Sequence, residues 1–437
     1  MNRLFPLAFI LLAGLFNVPL CAATPTYAKP KLVREVLNGK RNVARVSWWG
    51  FDPKDSTEFL QSAINSKVKK LIIDRQKSAW VTRPLTGVSN QEIVFEKGTE
   101  LIALKGAFQS KDDCLISFPQ CENIIIRGEK KDCGKSEHIR MHKQDYESPA
   151  YEHSEWRHGI ALYGCRNVLI QDLAIEETGG DGIYLGDFDG KHVNQNVVIR
   201  RVDCNDNYRN GISVISAENL LIEDCLLRNT SGTEPQAGID FEPNSPHELL
   251  VNCVMHNCIA EGNAGIGYEI CPQSMNSSSK PISINLVNCV SRNNREHAID
   301  LCSAVKDPPE GLLRISHFTS TGDGMAGLAV QFNPYDAVSI VVENSLFCDD
   351  ARDDDFFPPI YIQVVDSKNR PAGGISFKHV TVKDDIDRPF IKIVESKENI
   401  PKNMSGDITL ERKGRRERII INKTWLHRYL GIPQISQ

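Results

Sequence analysis

Asp181-Gly182-Ile183-Tyr184-Leu185, Asn210-Gly211-Ile212-Ser213-Val214 and Ala237-Gly238-Ile239-Asp240-Phe241 are three versions of one pattern: a polar or small residue, a glycine, then apolar positions in alternation. The pattern precedes them at His158-Gly159-Ile160-Ala161-Leu162. It follows them at Ala264-Gly265-Ile266-Gly267-Tyr268, His297-Ala298-Ile299-Asp300-Leu301 and Ala326-Gly327-Leu328-Ala329-Val330. The spacings run from 23 to 33 residues, the period of a solenoid repeat. A second apolar stretch lies between successive copies, as in Asn167-Val168-Leu169-Ile170, Asn196-Val197-Val198-Ile199 and Asn219-Leu220-Leu221-Ile222. Turns such as Asn205-Asp206-Asn207 and Glu261-Gly262-Asn263 follow it.

Short β-branched runs with period-two alternation and no helical half predict coils of strands, which bury their apolar side only by stacking. Asparagine in the turns suits left-handed backbone and can hydrogen-bond along the stack. The predicted fold is therefore all-β: a single-stranded right-handed parallel β-helix, a solenoid with a short N-terminal capping helix. That helix is read at Asp55-Ser56-Thr57-Glu58-Phe59-Leu60-Gln61-Ser62-Ala63-Ile64, a capped amphipathic segment. The leucine signature of the horseshoe solenoids is missing.

Residues 1–23 read as a secretory signal, with Arg3, an apolar run from Leu4 to Leu20 and small residues Ala22 and Ala23. Residues 24–437 then form one domain with an N-terminal cap about 40–70, a long insertion about 129–157 and a C-terminal cap about 405–437. In the last of these, Arg418-Ile419-Ile420-Ile421 reads as a closing strand and Thr424 to Leu430 as a closing element. The insertion reads as a wall beside the stack or a loop, with Tyr146, Tyr151 and Trp156 arguing for packing. No later stretch is apolar and long enough for a membrane span. A net charge of −5 lacks the basic stripe of nucleic-acid binders, and oligomeric state is not legible. Cys225, Cys258 and Cys289, with Ser345 later, fall at matching places in successive repeats. A column of small buried side chains explains that placement better than bridges do.

Strand alternation sorts the side chains. The first outward column is predicted to hold Ala161, Tyr184, Ser213, Asp240, Gly267, Asp300 and Ala329. The second holds Tyr163, Gly186, Ile215, Glu242, Glu269, Cys302 and Gln331. Asp240, Glu242, Glu269 and Asp300 thus gather on three adjacent coils, projecting to solvent as an anionic cleft, with Asp181 at a strand start two coils earlier. Like charges that close repel, and repulsion raises one carboxyl's pKa, which suits a general acid. These five carboxyls are the candidate catalytic set. His158, Tyr163, Tyr184, Arg209, His297 and Gln331 border them as candidate sugar contacts. No metal site or cofactor is assigned; a calcium ion on the clustered oxygens is the alternative use of the patch, and a solvated acidic face is another. Asp240 with Glu242 or Asp300 fits the carboxyl separation of inverting glycosidases, and Glu242 with Glu269 that of retaining ones.

Gly50-Phe51-Asp52-Pro53-Lys54-Asp55-Ser56-Thr57 and the helix after it resemble the start of pectate-lyase-like β-helix proteins. Gly179-Gly180-Asp181-Gly182-Ile183 and Arg209-Asn210-Gly211-Ile212-Ser213-Val214 resemble polygalacturonase-like glycoside hydrolases and uncharacterised bacterial relatives. The resemblance implies a secreted or periplasmic, inverting glycoside hydrolase acting on a polysaccharide or oligosaccharide. Departures limit it. The family's Asn-Thr-Asp is absent, its Asp-Asp is matched only by Asp181, its Gly-His-Gly is replaced by Arg209-Asn210-Gly211, and its Arg-Ile-Lys is missing. A polysaccharide lyase or uronate epimerase is the alternative, with Phe241-Glu242-Pro243-Asn244 and Pro246-His247-Glu248 faintly resembling an epimerase motif. A non-catalytic carbohydrate-binding or adhesin β-helix is the third reading.

Overall fold

Alternating apolar positions can be satisfied only by neighbours on the same face, and in this chain the neighbours are successive coils. The structure is a computed structural model that describes residues 27–129, 137–304, 306–352, 356–364, 370–394 and 400–430. The leader read at residues 1–23 lies outside the described residues, as does part of each of the insertion and the C-terminal cap. The chain is a right-handed parallel β-helix. Among the described residues one sheet of 11 strands runs in sequence order from Leu85–Thr86 to Ile391–Val394, and a second of 22 strands forms the rest of the wall. Pairing is parallel from coil to coil, as in Ile183↔Ile212 and Ile212↔Ile239.

The apolar positions stack as the alternation predicts. Ile160, Ile183, Ile212, Ile239, Ile299, Leu328, Ile360 and Ile391 are buried in one continuous core. Each such side chain contributes roughly 1.5–3 kcal/mol by leaving water, and only the neighbouring coils make that burial available. Glycine at the head of the repeat has a specific cause. A Cβ added at Gly182, Gly211 or Gly238 would sit 2.7, 2.5 and 2.7 Å from the carbonyl oxygen of Gly211, Gly238 and Gly267 respectively. The coils approach too closely at this corner for any side chain.

A ladder of asparagines also runs along the stack. Asn90, Asn123, Asn167, Asn196, Asn219 and Asn252 all have φ between 54° and 61°. The side-chain amide of each from Asn123 onward donates to the side-chain carbonyl of the one before, at 2.8–3.1 Å. Asparagine tolerates the left-handed region that would cost other L-residues roughly 1–2 kcal/mol, and its amide carries the link along the stack. Asn196→Ala breaks two links and strains one turn. It is expected to lower unfolding free energy by about 1–2 kcal/mol, with Asn196→Gly costing less; urea unfolding of the two variants separates the strain from the hydrogen bonds.

At the N-terminal end the helix Thr57–Asn65 buries Leu60, Ala63 and Ile64, and a second helix, Pro30–Leu37, precedes it. Part of the long insertion is a rung of the wall: Glu137–Arg140 pairs with Arg166–Glu176. Beyond it Tyr146 and Tyr151 meet edge to face at 5.1 Å. Arg157, fully buried, lies over both rings and donates to the carbonyls of Phe108 and Glu152. At the far end Arg415–Ile421 turns back antiparallel on Lys402–Arg412, and the helix Lys423–Tyr429 follows, capped by Asn422. Cys225, Cys258 and Cys289 are buried free thiols. No helix among the described residues is long and apolar enough to cross a membrane.

Candidate functional site

The outward column on the 11-stranded sheet differs from the predicted one at a single coil, and that difference builds the site. Asp240 pairs with Glu269, and Glu269 with Asp300. Gly267-Tyr268-Glu269, rather than Gly265-Ile266-Gly267, occupies the repeat's slot. The turn before it is two residues longer, and Gly267 supplies the close corner. Tyr268 takes the inward place held by isoleucine in neighbouring coils, and its hydroxyl donates to the carbonyls of Cys258 at 2.8 Å and Val290 at 3.0 Å. A pattern match that sought Gly-Ile therefore misplaced Glu269 by one column. The corrected first column reads Ser213, Asp240, Glu269, Asp300, Ala329. Three carboxyls stand on three consecutive rungs, roughly 4.8 Å apart along the stack.

The expected projection to solvent is also corrected. Ile239 and Phe241 enter the core and Asp240 does not, so the acids do lie on the outer face. Asp240 is nevertheless fully buried and Asp300 only 5% exposed. Arg209 covers Asp240, with its Nη2 at 3.6 Å from Asp240 Oδ2 and at 2.5 Å from Glu242 Oε2. Asn210 Nδ2 donates to Asp240 Oδ2 at 3.3 Å and to Ser213 Oγ at 3.0 Å. Gln331 Nε2 donates to Asp300 Oδ2 at 2.8 Å. Glu242, two residues beyond Asp240 at the strand's end, is the open member, its side chain 35% exposed.

Each ladder carboxyl keeps one buried oxygen without a hydrogen-bond partner: Asp240 Oδ1, Glu269 Oε2 and Asp300 Oδ1. Scaffolds rarely leave such groups unsatisfied. The electrostatics follow. Burial, then the charges of Glu269 and Glu242, push Asp240 well above the usual carboxylate range, with Arg209 opposing. Burial and Glu242 raise Glu269 to about 8. Burial, then Cys302 and Glu269, raise Asp300. Burial works against the charge on Arg209, but Asp181, Asp240 and Glu242 outweigh it and hold the guanidinium protonated. The site thus stores protons on its ladder beneath one fixed cation.

The remaining candidates divide. Asp181 is fully buried, with its Oδ2 3.2 Å from the Nδ1 of His158, and its charge acts on Arg209. His158 and His297 lie under the surface. The Nδ1 of His158 accepts from the backbone nitrogen of Asp181 at 3.0 Å, and that of His297 from Ala326 at 3.1 Å. Asn210 accepts in the same way from Ala237, so these three residues pin one coil to the next. Both histidines, read as sugar contacts, are thus engaged below the surface through Nδ1. The Tyr184 ring stacks on His158 at 4.3 Å and is half-buried, as is Tyr163, 5.7 Å from it. Gln331 is a holder of Asp300. Glu248, in the epimerase-like stretch, accepts from the backbone nitrogens of Asn244 and Ser245 and ties down its own turn.

Two features escaped the sequence reading. Glu155, on the insertion, approaches Arg209 Nε at 3.9 Å with exposed Trp156 beside it. On the other flank Phe356 is 53% exposed and packs on Phe357 and Tyr361. Among the described residues no three His, Cys, Asp or Glu side chains converge as a metal-ligand set.

Comparison with known proteins bears on the fold. The family model described as "Right handed beta helix region" matches residues 113–247. An uncharacterized protein of Bacillus subtilis (strain 168), YclG, is 34% identical over 131 residues, which are 28% of this chain and 21% of that protein. The matched part therefore spans about a fifth of the relative's length. Among solved structures, a hyperthermoactive exopolygalacturonase from Thermotoga maritima superposes with a TM-score of 0.51 at 15% identity, covering 90% of this chain and 98% of that one. The tailspike protein gp49 of Acinetobacter baumannii bacteriophage Fri1, described as a capsular polysaccharide depolymerase, superposes with a TM-score of 0.60 at 13% identity, covering 90% and 67%. At these identities the likeness is one of fold.

Proposed function

We propose that this chain, a right-handed parallel β-helix with a proton-holding carboxyl ladder on its outer face, is an exported glycoside hydrolase that cleaves a polysaccharide by inversion. The observation that carries the reading is the set of unpartnered buried oxygens on Asp240, Glu269 and Asp300 beside the open carboxylate of Glu242. The leader read at residues 1–23 supports export, and the fold's occurrence in the exopolygalacturonase and the depolymerase supports the substrate class.

Glycoside hydrolysis needs a carboxylic acid that keeps its proton at working pH and a carboxylate that takes one from water. Glu269 fits the first role, being held protonated up to about pH 8. Glu242 fits the second, since its side chain is 35% exposed to water. The two are diagonal neighbours, one rung and two residues apart, which places their backbones roughly 8 Å from one another. Inverting enzymes space their carboxyls about 6.5–9.5 Å apart to admit a water molecule, whereas retaining ones hold them about 5–5.5 Å apart. The backbone spacing of Glu242 and Glu269 lies nearer the inverting range than the retaining one, which supports inversion. In this mechanism Glu269 protonates the leaving oxygen, Glu242 draws a proton from the attacking water, and Arg209 holds Glu242 and Asp240 in place. The exposed ring of Trp156, next to Glu155, offers a stacking face for a sugar at one flank.

The purified protein is expected to shorten at least one member of a panel of uronic-acid, galactan and fucan polymers. The first-formed reducing end should carry the inverted anomeric configuration by proton NMR. Products absorbing in the ultraviolet would assign a lyase instead. Binding without any shortening across the panel would assign the adhesin reading.

A further inference from the structure

Among the described residues cysteines stand side by side on neighbouring coils in three places, and in one of them both thiols meet solvent. Cys225, Cys258 and Cys289 precede the paired strands Leu226–Arg228, Ile259–Glu261 and Val290–Arg292 and are sealed in the core. Cys271 and Cys302 directly follow Ile270 and Leu301, which face each other on adjacent coils of the outer sheet. Both are partly exposed free thiols, and they hydrogen-bond to each other. Parallel neighbours stand roughly 4.8 Å apart, inside the range of about 4.4–6.8 Å over which a disulfide spans two Cα atoms.

We propose that Cys271 and Cys302 are a thiol–disulfide pair that closes across adjacent coils by exchange with an external disulfide such as oxidised glutathione. The surroundings assign the attacking sulfur. The hydrogen bond from Cys271 draws the Cys302 thiol down to about 7; burial opposes it, and the Gln273 side-chain amide, donating to Cys302 Sγ at 2.7 Å, adds to it. The Cys302 thiolate attacks one sulfur of glutathione disulfide, and one glutathione thiolate leaves and takes up a proton. Cys271 then loses its proton to solvent and displaces the second glutathione thiolate. One external S–S bond breaks and one protein S–S bond forms; the protein loses two electrons and the reagent gains them. Cys271 lies two residues after Glu269 and Cys302 two after Asp300, so the bridge ties together the coils that carry two of the ladder acids. The proposal does not rest on the glycosidase reading, and its test reads sulfur chemistry alone.

The reduced full-length protein is equilibrated in glutathione buffers of graded ratio, quenched with acid, alkylated, digested and analysed by mass spectrometry. The Cys271 and Cys302 peptides are expected to appear as one cross-linked species, lighter by two hydrogens than the pair, in a fraction that follows the buffer ratio. Cys271→Ser should leave Cys302 as a stable glutathione adduct, and Cys302→Ser should leave Cys271 unmodified. In the reduced protein at pH 7, Cys302 should alkylate at least about tenfold faster than Cys348, whose thiol burial and Asp349 hold up at about 11. Recovery of both peptides as free thiols in oxidising buffer would overturn the proposal. So would a persistent glutathione adduct at Cys302 in the unaltered protein, because its neighbour would then have failed to resolve it.

Discussion

Glu269→Gln is expected to lower the rate of glycan cleavage by roughly 10²–10⁴-fold, the usual worth of a general acid, while leaving the β-helix folded. The substitution keeps the shape of the protonated carboxyl and removes only the proton it can give. Glu242→Gln should lose activity on a similar scale, because water then has no base. The pH dependence tells the two apart. The unaltered enzyme should lose activity as pH rises through about 8, where the Glu269 carboxyl gives up its proton. A substrate with a good leaving group, such as an aryl glycoside, needs little protonation, so Glu269→Gln should retain far more activity on it than on the polymer. Glu242→Gln should not. Equal loss on both substrates in Glu269→Gln would remove Glu269 from the acid's role.

The same residue should carry a large stability effect of opposite sign. Its carboxyl, ordinarily near 4.5, is raised to about 8 in the folded chain, so the folded state binds a proton that the unfolded state releases. The stability this contributes is fully present below about pH 4.5 and is lost as pH climbs through the folded value. The slope is about 1.4 kcal/mol per pH unit while only the folded state holds the proton. Asp240 and Asp300, raised for the same reason, add to it in the same direction. Glu269→Gln removes one of these titrations. It is therefore expected to be roughly 2–5 kcal/mol more stable than the unaltered protein at pH 8 and nearly equal to it at pH 4.5. Thermal unfolding at both pH values measures this. A variant that melts lower at pH 8 would mean that the Glu269 carboxylate is stabilised in the fold and that the ladder does not store protons. Higher stability joined to lost cleavage is the pattern of a group kept for chemistry rather than for folding.

The repeat unit alone determined the architecture. Gly182, Gly211 and Gly238 recur because adjacent coils touch at their corner, and the isoleucine after each recurs because only a stacked neighbour can cover it. Both demands are local and periodic, so they are written in the residue order. The ladder's membership was also legible in part: Asp240 and Asp300 follow the repeat without irregularity, and their column was predicted correctly. Glu269 was not, because a two-residue extension of the turn is invisible to a pattern that accepts Gly265-Ile266 as readily as Gly267-Tyr268. Only the stacking decides between them, since Gly267 fits under Gly238 and the hydroxyl of Tyr268 finds two carbonyls in the core. That choice sets Glu269 between Asp240 and Asp300 and brings Cys271 beside Cys302. The burial of the acids likewise belongs to tertiary structure. Arg209 reaches its carboxylates from another coil and Glu155 from an inserted segment, contacts that depend on how the coils turn and cover one another rather than on any spacing along the chain.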